Sequence, residues 1–255
     1  MSSKLDNCSV VMAHPDDEVL WASSVLSSAA KIILCFGDSS KPRIGHARRL
    51  AMKDFPLNTL EFLDLTEARV SNRARWPNPQ PSSAGLKISR RMYDLYNRAE
   101  QAYETNFSRL CSEFSVRLSG VDDVITHNPW GEYGHEEHVQ VFKAVVHAQA
   151  KLGYRIWVTN YVSERSLQLM LSQADQIGQS TEPMKTDTHL SKELKQLYER
   201  CGCWTWPQRH IWPSYEMYYE LAPEKRSPRW VSTLNFVGKE GKLRPADAAL
   251  ALKDG

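Results

Sequence analysis

One imidazole and three carboxylates stand together at His14-Pro15-Asp16-Asp17-Glu18, directly after the apolar run Val10-Val11-Met12. A second group, Tyr133-Gly134-His135-Glu136-Glu137-His138, follows more than a hundred residues later. Gathering several anions inside a fold is costly unless a cation or hydrogen-bond donors compensate them. A hydrolytic zinc ion needs three protein ligands and an open position for water. His14, Asp17 and His138 supply two imidazoles and one carboxylate for that role. Adjacent residues in a turn point in different directions, so Asp16 is free to take a proton from water. His135 and His138 are three apart and share one helical face, so one can hold metal while the other reaches substrate. His135 is then the natural general acid for a leaving amine. Glu18 opens a helix, where it caps backbone donors or orients His14, and Glu137 is placed to pair with an imidazole. Either cluster alone is compatible with a polar turn or a chance His-x-x-His. Their joint placement points to a metal centre.

The elements that must position these residues alternate. Ser9–Met12 reads as a buried strand, and Asp17–Ala30 as a helix with Val19, Leu20, Val25, Leu26 and Ala29 at helical spacing. Lys31–Phe36 is a second strand, and Ile44–Phe55 a helix stopped by Pro56. Thr59–Leu65 is a third strand. Ile88 to about Arg117 reads as a long amphipathic helix, Val121–Thr126 as a fourth strand, His135–Ala150 as a helix and Arg155–Val162 as a fifth strand. This rhythm predicts an α/β fold, a Rossmann-like and mainly parallel sheet with helices on both faces. Both motifs fall after strands, at the carboxyl ends where such sheets bind ligands.

The 255 residues suffice for one α/β domain, with a core over 8–165, an inserted lid over 69–89 and an aromatic extension over 166–255. A net charge of +2 argues for neither nucleic acid nor a membrane surface, and no apolar run is long enough to form a transmembrane segment. A polar N-terminus and five cysteines without framework spacing predict a reduced, cytoplasmic location. The lid carries Pro77, Pro79 and Pro81, and Arg69 to Arg98 holds seven cations against the single acid Asp94. That excess reads either as a solvated face or as a grip for a phosphate-bearing substrate, with Arg73 and Arg75 as candidate contacts. Asn128 and Trp130, just before the second motif, are further candidates for substrate binding. In the extension, Trp204, Trp206, Trp212, Tyr215, Tyr218, Tyr219, Trp230 and Phe236 serve as packing or as sugar-stacking faces. His46, His127, His147, His189 and His210 stand apart from both motifs and read as surface or structural. Cys201-Gly202-Cys203 reads as packing or incidental pairing rather than a structural zinc site.

Ala13-His14-Pro15-Asp16-Asp17-Glu18 together with Tyr133-Gly134-His135-Glu136-Glu137-His138 resembles the PIG-L/LmbE-like family of zinc-dependent N-acetylglucosaminyl deacetylases. The first motif matches in full. The second matches at both histidines and the tyrosine, with Glu136 and Glu137 where the family has Pro and Asp. The resemblance runs from Val10 to about Val162. It implies zinc on His14, Asp17 and His138, Asp16 as general base and His135 as general acid. It also implies that Tyr133 stabilises the oxyanion. Arg48 and Arg49 lack the glutamate that the family carries three positions on.

The expected activity is therefore hydrolytic removal of an acetyl group from an N-acetylated amino sugar or its conjugate. One zinc ion per chain is expected, with Fe2+ or Co2+ as alternatives, and homo-oligomerisation is left open. The rivals are an amidase for a larger N-acyl group, a non-haem iron oxygenase using the same triad, and an inactive sugar-binding protein. The strand–helix alternation counts against the oxygenase. Asp16 and His135, which binding alone does not need, count against the last.

Overall fold

The computed structural model describes residues 5–94, 96–221, 234–238 and 243–244. In chain order the elements begin with β1 (Ser9–Met12), α1 (Asp17–Trp21), β2 (Lys31–Asp38), α2 (Pro42–Lys53) and β3 (Leu60–Thr66). A short hairpin, β4 (Pro81–Ser82) and β5 (Gly85–Leu86), precedes α3 (Arg98–Arg117), β6 (Asp123–Thr126), α4 (Glu136–Leu152) and β7 (Arg155–Thr159). Then come β8 (Tyr161–Ser163), α5 (Leu167–Gln173), β9 (Ile177–Ser180), β10 (Met184–Lys185) and α6 (Thr188–Cys201). The last are β11 (Tyr215–Glu216), β12 (Tyr218–Leu221), β13 (Asn235–Val237) and β14 (Leu243–Arg244). The central sheet has seven strands in the order β3-β2-β1-β6-β7-β12-β9. Its first five are parallel, and β12 runs antiparallel to both β7 and β9.

The apolar strands are buried on both faces, and their two-residue period splits them between two cores. Val11, Ile33 and Val124 face Leu110 and Phe114 of α3 and Val141 and Val145 of α4. Val10, Met12, Ile32 and Ile125 face Val19 of α1, Ala47 and Ala51 of α2, and Leu194 and Tyr198 of α6. The chain winds outward from β1 to β3, then returns to lay β6 on the other side of β1. That reversal opens a crevice at the carboxyl ends of β1 and β6, the usual ligand position in doubly wound sheets.

Three elements differ from the sequence reading. The helix predicted over Asp17–Ala30 is only α1, because Glu216 of β11 takes the Ser24 N–H at 2.7 Å and the Ser23 hydroxyl at 3.4 Å. Continuing the helix would need that N–H for the Leu20 carbonyl. The helix predicted from Ile88 starts at Arg98, where the Asp94 carboxylate accepts the Arg98 and Ala99 N–H groups. The strand predicted over Arg155–Val162 divides at Asn160: β7 stays in the central sheet while β8 pairs with β13. Of the aromatic extension, Trp230 lies outside the described residues, and Tyr218 and Tyr219 are core. No described helix is long and apolar enough to cross a membrane.

Candidate active site

The turn after β1 and the start of α4 meet in the crevice. Asp17 Oδ2 lies 3.0 Å from His14 Nδ1 and 3.2 Å from His138 Nε2. It also accepts the His14 N–H at 2.8 Å, while Asp17 Oδ1 accepts the indole N–H of Trp21 at 3.0 Å. The far nitrogen of each imidazole is held by a glutamate. Glu137 Oε2 takes His14 Nε2 at 3.1 Å, and Glu132 Oε2 takes His138 Nδ1 at 2.7 Å. A ring that donates to its glutamate from one nitrogen offers the other as a lone pair once its second proton leaves, and in both rings that other nitrogen faces Asp17. His138 Nε2 is buried and has no hydrogen-bond partner. A buried orphan of this kind, beside a carboxylate and a second imidazole, fits a divalent cation. Ligand atoms of His14, His135 and His138 lie within 4.8 Å of one another, as do those of Asp17, His127 and His138.

His127 is excluded as a ligand by its own bonds. Its Nε2 accepts the Ala13 N–H at 2.9 Å and its Nδ1 meets Glu132 Oε2 at 2.9 Å. It is buried, so of the surface and structural readings of His127 the structural one holds. Glu132 was not selected from the sequence, yet it fixes two imidazoles and is itself held by Asn128 N–H and the Thr159 hydroxyl. The turn that delivers it needs Gly131, at φ 66, where a Cβ would fall 2.6 Å from the His135 carbonyl.

The charge balance favours a cation. Asp16, Asp17, Glu132, Glu136 and Glu137 are buried, as is Glu18, which burial pushes up to about 8, whereas Arg48 is the sole buried Lys or Arg among the described residues. Arg48 pairs with Glu67 at 2.6 Å, and Glu67 lies 3.6 Å from His14 Nε2. Glu67 thus gives Arg48 the carboxylate partner that its own helix lacks. Burial opposes charge on the imidazoles, but the bonds to Asp17 and Glu137 lift His14 to about 10. Likewise Asp17 and Glu132 lift His138 to about 9. Burial disfavours the Glu132 carboxylate as well, yet His127 and His138 hold it at about 2. With folded values above the ordinary 6.5, these two imidazoliums stabilise the metal-free fold fully below about pH 6.5. The contribution is lost as pH rises through 9 to 10. Ligation needs both lone pairs, so loading metal at pH 7 should release about two protons per ion. Calorimetry in buffers of different ionisation enthalpy measures that number, and apparent affinity should rise with pH.

Asp16 adopts φ 101, a strained conformation outside glycine, which turns its carboxylate away from that of Asp17. Asp16 Oδ2 accepts the Thr205 N–H at 3.1 Å and its hydroxyl at 2.7 Å. Burial and the neighbouring Asp17 push Asp16 up to about 6, near the range of a working general base. Glu18 does not touch His14 but takes the Asp16 N–H at 3.1 Å and the Tyr198 hydroxyl at 2.5 Å. His135 caps α4, its Nδ1 accepting the Glu137 N–H at 3.3 Å, so its proton is carried on Nε2. Burial and the nearby His138 and His14 charges push His135 down. The Tyr133 ring centroid lies 5.4 Å from that of His138 and 5.8 Å from that of His135. Burial and the Asp17 and Asp16 anions push its phenol up, so it stays an O–H donor.

A cavity of about 320 Å³ is lined by His14, Asp16, Asp17, Tyr133 and His135, with Arg69, Lys41 and Ser39 in its wall. A second of about 840 Å³ adjoins it across Tyr133, Thr205 and Trp206 and is lined by Trp76, Pro77, Arg165 and Phe236. The four residues assigned to substrate binding lie in neither. The Arg73 guanidinium is paired with Asp94 at 2.7 Å, and Arg75 lines a separate cavity with Lys87 and Arg90. Asn128 and the Trp130 indole donate to the Tyr161 carbonyl at 2.8 and 2.7 Å, so both brace the scaffold. The start of the 69–89 segment is held instead by Glu136, whose carboxylate accepts the N–H groups of Asn72, Arg73 and Ala74 and the Trp76 indole.

Glu137→Gln tests how His14 is oriented. Gln can keep the 2.7 Å bond from Ala68 N–H but opposes its amide to His14 Nε2, which draws the ring proton onto Nδ1. Metal affinity should fall by about 10- to 100-fold, read by competition with a chromogenic chelator.

No family model matches the sequence. Among solved structures, the chain is similar to the zinc-inhibited form of teicoplanin deacetylase Orf2, with a TM-score of 0.57 and 11% identity. That match covers 86% of this chain and 99% of the other. It is also similar to a deacetylase–bog complex from the teicoplanin biosynthesis pathway, at TM-score 0.54 and 13% identity over 86% of this chain and 99% of that one. A deacetylase–teicoplanin complex matches at TM-score 0.51 and 12% identity, over 84% and 97%. At these identities the likeness establishes the fold, which is the α/β fold of those deacetylases.

Proposed function

We propose that the protein is a metal-dependent hydrolase that removes the acetyl group from an N-acetylated amino sugar conjugate. The reading rests on one observation: nitrogens of two imidazoles converge on Asp17 Oδ2, each ring fixed by its own glutamate, with Asp16 held apart by Thr205. The deacetylase names of the similar structures support the same chemistry. His14, Asp17 and His138 would hold the ion, with zinc the first candidate. When bound, a divalent cation supplies Lewis acidity toward an amide carbonyl and toward water. Asp16 takes the proton from the attacking water. Tyr133 donates its hydroxyl proton in a hydrogen bond to the developing oxyanion. To act as general acid His135 must be an imidazolium, with Nδ1 released from the Glu137 N–H; it then gives its Nε2 proton to the departing amine, and the proton that Asp16 took from water replaces it. The products are acetate and a free amino sugar.

The test is acetate release from free, nucleotide-linked and lipid-linked N-acetylhexosamines, before and after chelation. Activity lost on chelation and restored by zinc, Fe2+ or Co2+ is the expected result. No release from any member, or release indifferent to chelation, rejects the reading. The 840 Å³ groove favours a second version, in which the acyl group itself is larger than acetyl. Comparing acetyl and octanoyl forms of the preferred sugar separates the two.

A further inference from the structure

The net charge of +2 conceals an uneven distribution. Seven cations and one acid lie between Arg69 and Arg98. The acid, Asp94, is already engaged by Arg73 at 2.7 Å and by the Arg98 N–H at 2.8 Å. Arg75, Lys87, Arg91 and Arg98 are exposed and form no ion pair among the described residues. A cavity of about 460 Å³ opens beside Arg75, Lys87 and Arg90, with no carboxylate in its lining. The same stretch carries Met92, Tyr93 and Tyr96 at 78%, 89% and 69% exposure. No other three exposed large hydrophobics among the described residues fall so close together in sequence. The Asp94 clamp pins the base of this segment against Arg73 and leaves its apolar tips in solvent.

We propose that this segment docks the protein onto an anionic lipid bilayer, lipid phosphates entering the Arg75–Lys87 cavity and Met92, Tyr93 and Tyr96 seated at the headgroup boundary. Each half of the patch suits that occupant. Cations near an anionic leaflet strengthen partitioning by roughly fivefold apiece, and tyrosine rings favour the membrane–water interface. A nucleic acid would use the cations and leave Met92 without a partner. A second copy of the chain would bring the same positive charge against itself. The segment continues into the loop whose Trp76 and Pro77 wall the 840 Å³ groove. An amphiphilic substrate drawn from the bilayer would therefore arrive beside the active site. That consequence rests on the proposed function, whereas the docking does not.

The full chain is sedimented with vesicles of phosphatidylcholine alone and of phosphatidylcholine with phosphatidylglycerol. Binding is expected only to the mixed vesicles and should weaken as salt rises beyond about 0.1 M. Arg75→Ala with Lys87→Ala should lower partitioning by about 30-fold. Met92→Ser, Tyr93→Ser and Tyr96→Ser together should lower it too, with the unfolding temperature unchanged because all three side chains are exposed. Absence of binding to the mixed vesicles overturns the proposal. So does binding that the triple variant leaves intact and heparin displaces, which marks a general polyanion site. A dimer in sedimentation velocity that the triple variant dissolves, without vesicle binding, assigns the patch to a second copy and equally overturns it.

Discussion

His138→Ala should lose its metal and its activity together. The imidazole is one of the two that converge on Asp17 Oδ2, and its Nε2 has no other partner. Two remaining ligands leave an open, weakly held site. Loss of the ion removes several kcal/mol of transition-state stabilisation, so turnover should fall by roughly 10³-fold or more. The variant should still fold, because Glu132 keeps His127, Asn128 N–H and the Thr159 hydroxyl as donors. Circular dichroism checks the fold, and elemental analysis of the purified variant reads metal content. Full occupancy in a folded His138→Ala protein would reject the ligand assignment.

Asp16→Asn should separate binding from chemistry. The substitution keeps the size and can keep the Thr205 bonds through the amide oxygen, but the group no longer accepts a proton. Metal content and KM should hold while kcat falls by about two to four orders of magnitude. Loss of metal in this variant would mean that Asp16 and Asp17 have each other's roles. The neighbouring carboxylates differ in surroundings as the two roles require. Asp17 lies between imidazoles, which hold it well below the carboxylate range against the cost of burial. Asp16 is raised to about 6 by burial and by Asp17 itself.

The sequence by itself determined the sheet and the meeting of the two motifs. Runs such as Val10–Met12 and Ile32–Phe36 are too apolar to be half-exposed, so they had to be inner strands, and each motif had to follow one. Residue type and local spacing also marked Glu137 as an imidazole partner. The other side chains that fix a tautomer or hold the general base depend on a backbone turn or a distant contact. Glu132 looks like a loop acid until Gly131 turns it under His127 and His138, and Thr205 reaches Asp16 across 189 positions. A tertiary partner also ended α1 at Trp21, where Glu216 takes the Ser24 N–H, whereas α3 starts at Arg98 under a local cap from the Asp94 carboxylate. The same partnering withdrew Arg73, Asn128 and Trp130 from the substrate side. A sequence states which groups can bond. Which of several eligible partners each one takes is settled by long-range packing, and in a buried charged cluster that choice fixes where every proton resides.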